Sequence, residues 1–196
     1  MSQAAVAQPL FEIRTVAVIG AGVAGRSFAL ACASAGFHVV LEDVMPANLR
    51  KAEASYAGMT QRGAAGRLEL ALTVEDAVRE ADVAVDFVPD ELESKLEIFS
   101  MIDRMAPPKT ILCTPSYALS ITDLASCVYR PERCVAIRGD LVPGEANVRP
   151  SVRLVYPAAA AELTLTAVGD FLRSLGVEVQ RELDPDAPVL MKNAVV

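Results

Sequence analysis

A glycine-rich turn, set between a short apolar run and a stretch of small residues, constrains this chain more than any other feature. The run 16–19 is too short for a helix and has the length of a fully buried strand. Gly20, Gly22 and Gly25 follow it in the order G-x-G-x-x-G. A strand, these glycines and then a helix are typical of a dinucleotide-binding fold.

Each glycine in this turn has a steric or conformational role that a larger residue could not fill. Gly20 permits the tight turn out of the strand, Gly22 lets the backbone approach a pyrophosphate, and Gly25 lets the helix pack closely on the strand. The N-terminus of the helix that follows offers unpaired N–H groups and a partial positive charge to the phosphates, and we include Val23 and Ala24 among the predicted cofactor-binding residues. The alternative is a glycine-rich turn that packs a helix on a sheet and binds no ligand.

A second apolar run, 37–41, ends in two carboxylates, Glu42 and Asp43. A carboxylate about 20 residues beyond the glycines is where dinucleotide folds hold the adenosine ribose. We therefore predict that Asp43 binds the ribose hydroxyls and that the cofactor is NAD. NADP is disfavoured because the carboxylates would repel its 2′-phosphate, and no lysine or arginine follows before Arg50.

Apolar runs alternate with helical patterns along most of the chain. This alternation predicts an α/β fold of the Rossmann type, doubly wound, with a mainly parallel sheet and helices on both faces. The predicted strands are 16–19, 37–41, 68–72, 83–88, 110–113, 134–138, 152–156 and 176–180. The predicted helices follow the glycine turn and then span about 46–56, a short segment capped by Thr73, 91–105, 121–127 and 160–175.

The same pattern predicts one domain with two short tails. The NAD-binding domain is expected at 13–183, after a mobile N-terminal tail, 1–12. A C-terminal tail, 184–196, begins where D-P-D-A-P breaks the pattern.

The composition excludes several classes of function. Hydrophobic residues make up 53% of the chain, which indicates a heavily buried protein. A net charge of −7 argues against nucleic acid or an anionic membrane surface as the main partner. No apolar run reaches membrane-spanning length, and the N-terminus lacks the pattern of a signal peptide.

The cysteines and the single histidine indicate no metal site. None of the four cysteines has C-x-x-C spacing, and His38 alone cannot complete a ligand set. We expect the cysteines to be reduced and packed, which predicts a cytoplasmic location. They are Cys32, Cys113, Cys127 and Cys134.

In these residues and in the segments that follow, the chain resembles the NAD-binding domain of the L-3-hydroxyacyl-CoA dehydrogenase family, over about 14–193. The D-F-V-P-D segment at 86–90, with Lys95, is similar to the family's E-A-V-x-E and lysine beside the nicotinamide ribose. The resemblance therefore implies Val88, Asp90 and Lys95 as further cofactor contacts. The other matching segments are L-E-D-V at 41–44, L-S-I-T at 119–122 and P-E-R at 131–133.

The chain departs from this family in its substrate half. The resemblance places Pro115 where the family has a ribose-binding asparagine, and Tyr117 where it has an active-site serine. Arg138 replaces the general-base histidine, and Tyr156 replaces the glutamate that orients it. An arginine stays protonated and cannot be the base, although it could bind an anion instead of simply ending a strand at the surface. The family also continues beyond Asn193 into a helical domain.

Three functions follow from these comparisons. The first is a divergent NAD-dependent dehydrogenase acting on a hydroxyacyl-type small molecule, such as an acyl thioester. In it, Tyr117 and Lys95 would be catalytic, like the tyrosine–lysine pair of short-chain dehydrogenases; the alternative is that Tyr117 fills the volume of a lost substrate. The second is an inactive NAD-binding or partner-docking module.

The third function is a subunit whose partner chain supplies the helical domain. We accordingly expect a homodimer or a complex with another chain, because the carboxyl ends of the strands would lack their lid and the chain ends in apolar residues. These residues are Val189, Leu190, Met191, Val195 and Val196.

Overall fold

The computed structural model describes residues 11–61, 63, 66–141 and 149–185. Within this part of the chain, eight strands and six α-helices form one layered α/β unit. The strands are β1 (Thr15–Ile19), β2 (His38–Glu42), β3 (Arg67–Ala71), β4 (Val83–Asp86), β5 (Ile111–Pro115), β6 (Cys134–Gly139), β7 (Ser151–Tyr156) and β8 (Glu178–Leu183). The helices are α1 (Val23–Ser34), α2 (Pro46–Thr60), α3 (Val74–Val78), α4 (Leu92–Met105), α5 (Ile121–Ser126) and α6 (Glu162–Ser174), and a single 3₁₀ turn spans Pro131–Arg133.

The sheet has the strand order β3-β2-β1-β4-β5-β6-β7-β8. The first six of these strands are parallel neighbours, whereas β7 pairs antiparallel with β6 and parallel with β8. The predicted Rossmann-type fold with a mainly parallel sheet is therefore confirmed. Because six strands run in one direction, their carboxyl ends meet at one edge, where open α/β sheets bind ligands.

Helices cover both faces of the sheet, which explains why the central strands are almost continuously apolar. On one face, α1, α2 and α6 bury residues such as Phe28, Leu49 and Phe171 against the sheet. On the other face, α3, α4 and α5 bury residues such as Phe99 and Leu124. Successive residues of β1 divide between the two cores, as strand alternation requires.

Local signals in the sequence explain where several helices begin. Pro46 opens α2 at a position where its missing N–H removes no helix hydrogen bond. The hydroxyl of Thr73 accepts a hydrogen bond from the N–H of Asp76 at 3.2 Å and caps α3, as predicted. Ser120 caps α5 in the same way, accepting from the N–H of Asp123 at 3.2 Å.

The predicted strand ends differ from the structure by up to three residues, and the differences at β4 and β8 alter the adjoining loops. Strand β4 stops at Asp86, so Val88 lies in the loop that leads past Pro89 to α4. Strand β8 begins at Glu178 and not at Gly176, because Gly176 completes the turn after α6 with a φ of +81°. Its N–H donates to the carbonyl oxygen of Arg173 at 2.9 Å.

The predicted tails lie mostly outside the described residues, and so do the five apolar residues at the end of the chain. Of the residues assigned to the C-terminal tail, Asp184 is 5% exposed and is attached to the domain. Its Oδ2 accepts from the hydroxyl of Ser120 at 2.8 Å and from the N–H of Thr122 at 2.9 Å. Among the described residues, none of the helices has the length and apolar character that crossing a membrane requires.

Candidate functional site

The turn between β1 and α1 has the shape that the glycine pattern predicts. Gly20 has a φ of +96°, a conformation that other residues rarely adopt. A Cβ on Gly22 would meet no atom within 4 Å, whereas a Cβ on Gly25 would lie 1.9 Å from the carbonyl oxygen of Gly20. Gly22 therefore leaves open space at the start of α1, and Gly25 permits the close contact of helix and strand.

The N-terminus of α1 is available to an anion. Val23 and Ala24 form its exposed first turn, which holds no acidic side chain and has no side-chain cap. The first N–H groups of a helix have no partner within the helix and carry a partial positive charge. This turn and the space beside Gly22 fit the pyrophosphate of a dinucleotide.

Asp43 joins the end of β2 to the glycine turn. Its Oδ2 accepts from the N–H of Ala21 at 2.7 Å and from the side-chain amide of Asn48 at 3.1 Å. Its Oδ1 accepts from the N–H of Met45 at 2.7 Å. Since an ionised carboxylate has about four acceptor positions, Asp43 retains capacity for a ribose hydroxyl while it positions the turn.

A cleft of about 570 Å³ opens between this turn and α4. Four of the predicted cofactor residues, Gly20, Gly22, Asp43 and Val88, line it together. The other predicted cofactor residues lie outside its lining: Val23, Ala24 and Gly25 on α1, Asp90 after β4, and Lys95 on α4. The remaining lining residues are Ile19, Glu42, Val44, Asn48, Val74, Phe87, Pro89, Ser94, Glu97, Ile98 and Met101.

Lys95 belongs to a buried ion pair that the sequence did not reveal. Its side chain is 1% exposed, and its Nζ donates to Asp86 Oδ1 at 2.7 Å and to the carbonyl oxygen of Pro115 at 3.2 Å. Burial raises the pKa of the Asp86 carboxyl, although the positive charge of Lys95 opposes this rise. Asp86 Oδ2 and the hydroxyl of Thr114 are enclosed without a hydrogen bond of normal geometry in the described part of the chain.

Tyr117 lies at the carboxyl edge of the sheet, and its hydroxyl makes no hydrogen bond with Lys95 in the described part of the chain. Its hydroxyl donates to the carbonyl oxygen of Gly139 at 3.2 Å, and the residue is 69% exposed. Its N–H donates to Asp90 Oδ2 at 2.9 Å. Partial burial raises the pKa of Asp90, but hydrogen bonds from Ser116 and from this N–H outweigh that effect and lower it. The hydroxyl of Tyr117 and the Nζ of Lys95 thus have separate hydrogen-bond partners, and a catalytic role for the two residues stays a prediction.

Arg138 and Tyr156, which replace the base and the group that orients it, do not form a pair. Arg138 follows Ala136 on the α5 face, where its Nη2 donates to the carbonyl oxygen of Leu119 at 3.1 Å. Its Nε is enclosed and has no partner among the described residues. Tyr156 packs in the core on the opposite face. These positions consequently hold no base with a group to orient it.

No cluster of three or more histidine, cysteine, aspartate or glutamate side chains in the described ranges could hold a metal ion. The cysteines of this part of the chain are all free, and only Cys127 is exposed.

The comparisons with known proteins agree with this geometry. Residues 15–179 match the family described as "3-hydroxyacyl-CoA dehydrogenase, NAD binding domain". A 3-hydroxybutyryl-CoA dehydrogenase of Bradyrhizobium diazoefficiens is 28% identical over 196 residues, which cover 94% of this chain and 65% of the relative. A 5-formyl-3-hydroxy-2-methylpyridine 4-carboxylate 5-dehydrogenase of Mesorhizobium japonicum is 26% identical and is matched over 62% of its length.

A solved structure gives the same result. The crystal structure of 3-hydroxybutyryl-CoA dehydrogenase from Escherichia coli K12 superposes with a TM-score of 0.76 at 26% identity, covering 88% of this chain and 39% of that chain. The chain thus spans less than two thirds of these proteins, and the matched part is the one that contains the glycine turn. From its fold, its glycine turn and this match, the chain belongs to the NAD-binding domain family of the 3-hydroxyacyl-CoA dehydrogenases, and its cofactor is NAD.

Proposed function

We propose that this chain is an NAD-dependent dehydrogenase that transfers a hydride between the cofactor and a hydroxyacyl-type small molecule. The observation that carries the proposal is the open glycine turn, held by Asp43 through the N–H of Ala21, at the mouth of the cleft. An acyl thioester is the substrate class we favour, because the relatives from Bradyrhizobium and Escherichia coli are named as 3-hydroxybutyryl-CoA dehydrogenases.

The chain's own residues would bind and orient the reactants. The N-terminus of α1 and the space beside Gly22 would hold the pyrophosphate, while Asp43 would accept from the adenosine ribose. Asp90 and Lys95 would lie beside the nicotinamide ribose. NAD, when bound, supplies the hydride acceptor or donor.

Oxidation of a hydroxyl group also requires a proton acceptor. Arg138 cannot serve, because its guanidinium stays protonated. Tyr117 is the candidate in its phenolate form, which would take the substrate's hydroxyl proton after releasing its own proton to solvent. Its hydroxyl lies exposed at the carboxyl edge, and Asp90 holds its backbone N–H. Lys95 would position Tyr117 indirectly, through the loop that follows β5. Its ammonium group donates to the carbonyl oxygen of Pro115, two residues before Tyr117.

The alternative is a protein that binds NAD without turning it over. It is favoured by one observation, namely that Arg138 and Tyr156 lie on opposite faces of the sheet and no histidine–carboxylate pair is formed at these positions among the described residues. In this case Tyr117 would occupy the volume of a lost substrate, and Lys95 would serve only the stability of the core.

A turnover assay separates the two functions. Purified protein is mixed with NAD and a panel of 3-hydroxyacyl thioesters, and NADH is followed by its absorbance. We expect slow turnover with at least one thioester, and Tyr117→Phe should abolish it while NADH affinity stays within about twofold. Saturable NADH binding with no turnover across the panel would support the inactive module. Unchanged turnover in Tyr117→Phe would remove this residue from the mechanism.

A cytoplasmic location is also proposed, and the free cysteines support it.

We also propose that the chain associates with itself or with another chain. The apolar residues at the end of the chain, on which this proposal rests, lie outside the described residues, so sedimentation is the test. We expect the full chain to sediment at a higher mass than a chain ending at Asp184. Monomers in both samples would contradict the association.

A further inference from the structure

Glu42 is the least expected side chain in the cleft. It is the last residue of β2 and is 4% exposed. Its carboxylate nevertheless makes no hydrogen bond and no ion pair with any other residue of the described ranges. Burying a carboxylate without such a partner is costly, and natural proteins rarely retain one without a reason.

The alternation of β2 fixes the direction of this side chain. Leu41 packs in the core on the α1 face, while Val40 packs on the opposite face with α3 and α4. Glu42 follows Val40 on that second face. Val74 at the start of α3 and Ile98 and Met101 on α4 line the same cleft as Glu42.

The carboxylate also reaches the open space of this cleft. The enclosed side-chain atoms without a partner in the described part belong to Asp86, Thr114, Thr122 and Arg138, and neither oxygen of Glu42 is among them. Burial raises the pKa of Glu42, and the neighbouring charge of Asp43 raises it further. The site would therefore gain from a ligand that brings a hydrogen-bond donor to Glu42.

Asp43 and Glu42 cannot serve the same part of a dinucleotide. Asp43 is held against the glycine turn by the N–H of Ala21, which would place it beside the pyrophosphate and ribose of the proposed NAD. Glu42 lies between apolar side chains that could cover the faces of a flat base. The part of the ligand that meets Glu42 should thus combine a planar apolar body with a polar edge.

We propose that Glu42 accepts a hydrogen bond from the exocyclic amine of the adenine base, and so selects an adenine dinucleotide over one with a carbonyl at that position. This inference rests on the proposed placement of NAD in the cleft. It assigns base recognition to Glu42 and leaves ribose recognition to Asp43.

The test compares reduced NAD with its hypoxanthine analogue, in which a carbonyl oxygen replaces the amine. Binding is measured by nicotinamide fluorescence, because the chain contains no tryptophan to interfere. The parent protein should bind the adenine form at least about tenfold more tightly, which corresponds to about 1.4 kcal/mol at 25 °C. In Glu42→Val this preference should fall to within about twofold, since the valine offers no acceptor.

Two controls accompany this comparison. Glu97→Gln changes another carboxylate of the cleft lining that is exposed, and it should keep the tenfold preference. The midpoint temperature of thermal unfolding of Glu42→Val should equal or exceed that of the parent, because valine is apolar like the side chains that surround this position.

The outcomes separate the failure of this inference from the failure of the proposed site. Equal affinity of the parent for both dinucleotides, or an equal loss of both in Glu42→Val, would overturn base recognition by Glu42 while leaving the cofactor site in place. Absence of saturable binding for either dinucleotide would overturn the cofactor site, and this inference with it.

Discussion

Replacing Gly25 with alanine tests the close contact between α1 and β1. The new methyl group would lie 1.9 Å from the carbonyl oxygen of Gly20 and 3.2 Å from the Cβ of Phe87. Real Cβ atoms essentially never approach closer than 3.0 Å, so a displacement of about 1.1 Å, the difference between 3.0 and 1.9 Å, is required. Because the obstructing atom is part of the backbone, it cannot rotate away, and the helix must shift from the strand.

The magnitude follows from two opposing effects. Overpacking costs about 1–3 kcal/mol, and a collision with backbone argues for the upper figure. Alanine gains at most about 1 kcal/mol over glycine inside a helix. The net expectation is a destabilisation of about 2 kcal/mol. For a domain of this size, the midpoint of thermal unfolding should fall by about 4–8 °C.

Urea unfolding followed by circular dichroism measures this difference, and Gly22→Ala is the matched control. A methyl on Gly22 meets no atom within 4 Å, so this variant should unfold within about 1 kcal/mol of the parent. It should still bind NADH at least about tenfold more weakly, because its methyl occupies the space beside the helix N-terminus. A Gly25→Ala protein as stable as the parent would refute the close-packing account.

Three further predictions concern the buried charges and the thiols. Lys95→Met leaves Asp86 buried and unpaired, so urea unfolding should show a loss of about 3–5 kcal/mol, and adding Asp86→Leu should recover part of it; an unchanged stability would contradict a buried pair. Burial raises the pKa of Asp82, but hydrogen bonds from Lys109 and from the N–H groups of Thr15 and Arg14 outweigh it and lower the pKa. Asp82→Asn should therefore be less stable than the parent above about pH 4, and the two proteins should converge as the pH falls through the lowered pKa; a difference independent of pH would contradict this. In the native protein only Cys127 should react rapidly with Ellman's reagent, since burial raises the pKa of the other three thiols; rapid reaction of two or more would contradict the burial of Cys32, Cys113 and Cys134.

The sequence was most informative where the cause is local. The φ of Gly20, the cap at Thr73 and the proline that opens α2 depend on residues a few positions apart, and all three could be predicted. The sheet followed because apolar runs and helical patterns alternate along the chain. The antiparallel pairing of β7 with β6 was not predicted in particular, since it depends on how the chain returns to the sheet and not on any local pattern.

The side-chain partners of the site could not be predicted in this way. Lys95 was predicted to act with Tyr117, and its ion pair with Asp86, nine residues before it, had no signal in the sequence. Glu42 was grouped with Asp43 only as a carboxylate that repels a 2′-phosphate, whereas strand alternation places it on the face of the sheet that packs against α3 and α4. The available signal in the sequence was the alternation of side chains along β2, which puts Glu42 on the same face of the sheet as Val40 and on the opposite face from Leu41.

Calorimetric titration of the full chain with NADH and NADPH tests the central claim most directly. The glycine turn, the uncapped N-terminus of α1 and the buried Asp43 predict saturable binding of NADH. The carboxylate of Asp43, directly after β2, predicts an affinity for NADPH at least about tenfold lower, or about 1.4 kcal/mol. Equal affinities would contradict the role of Asp43, and no binding of either dinucleotide would contradict the site itself.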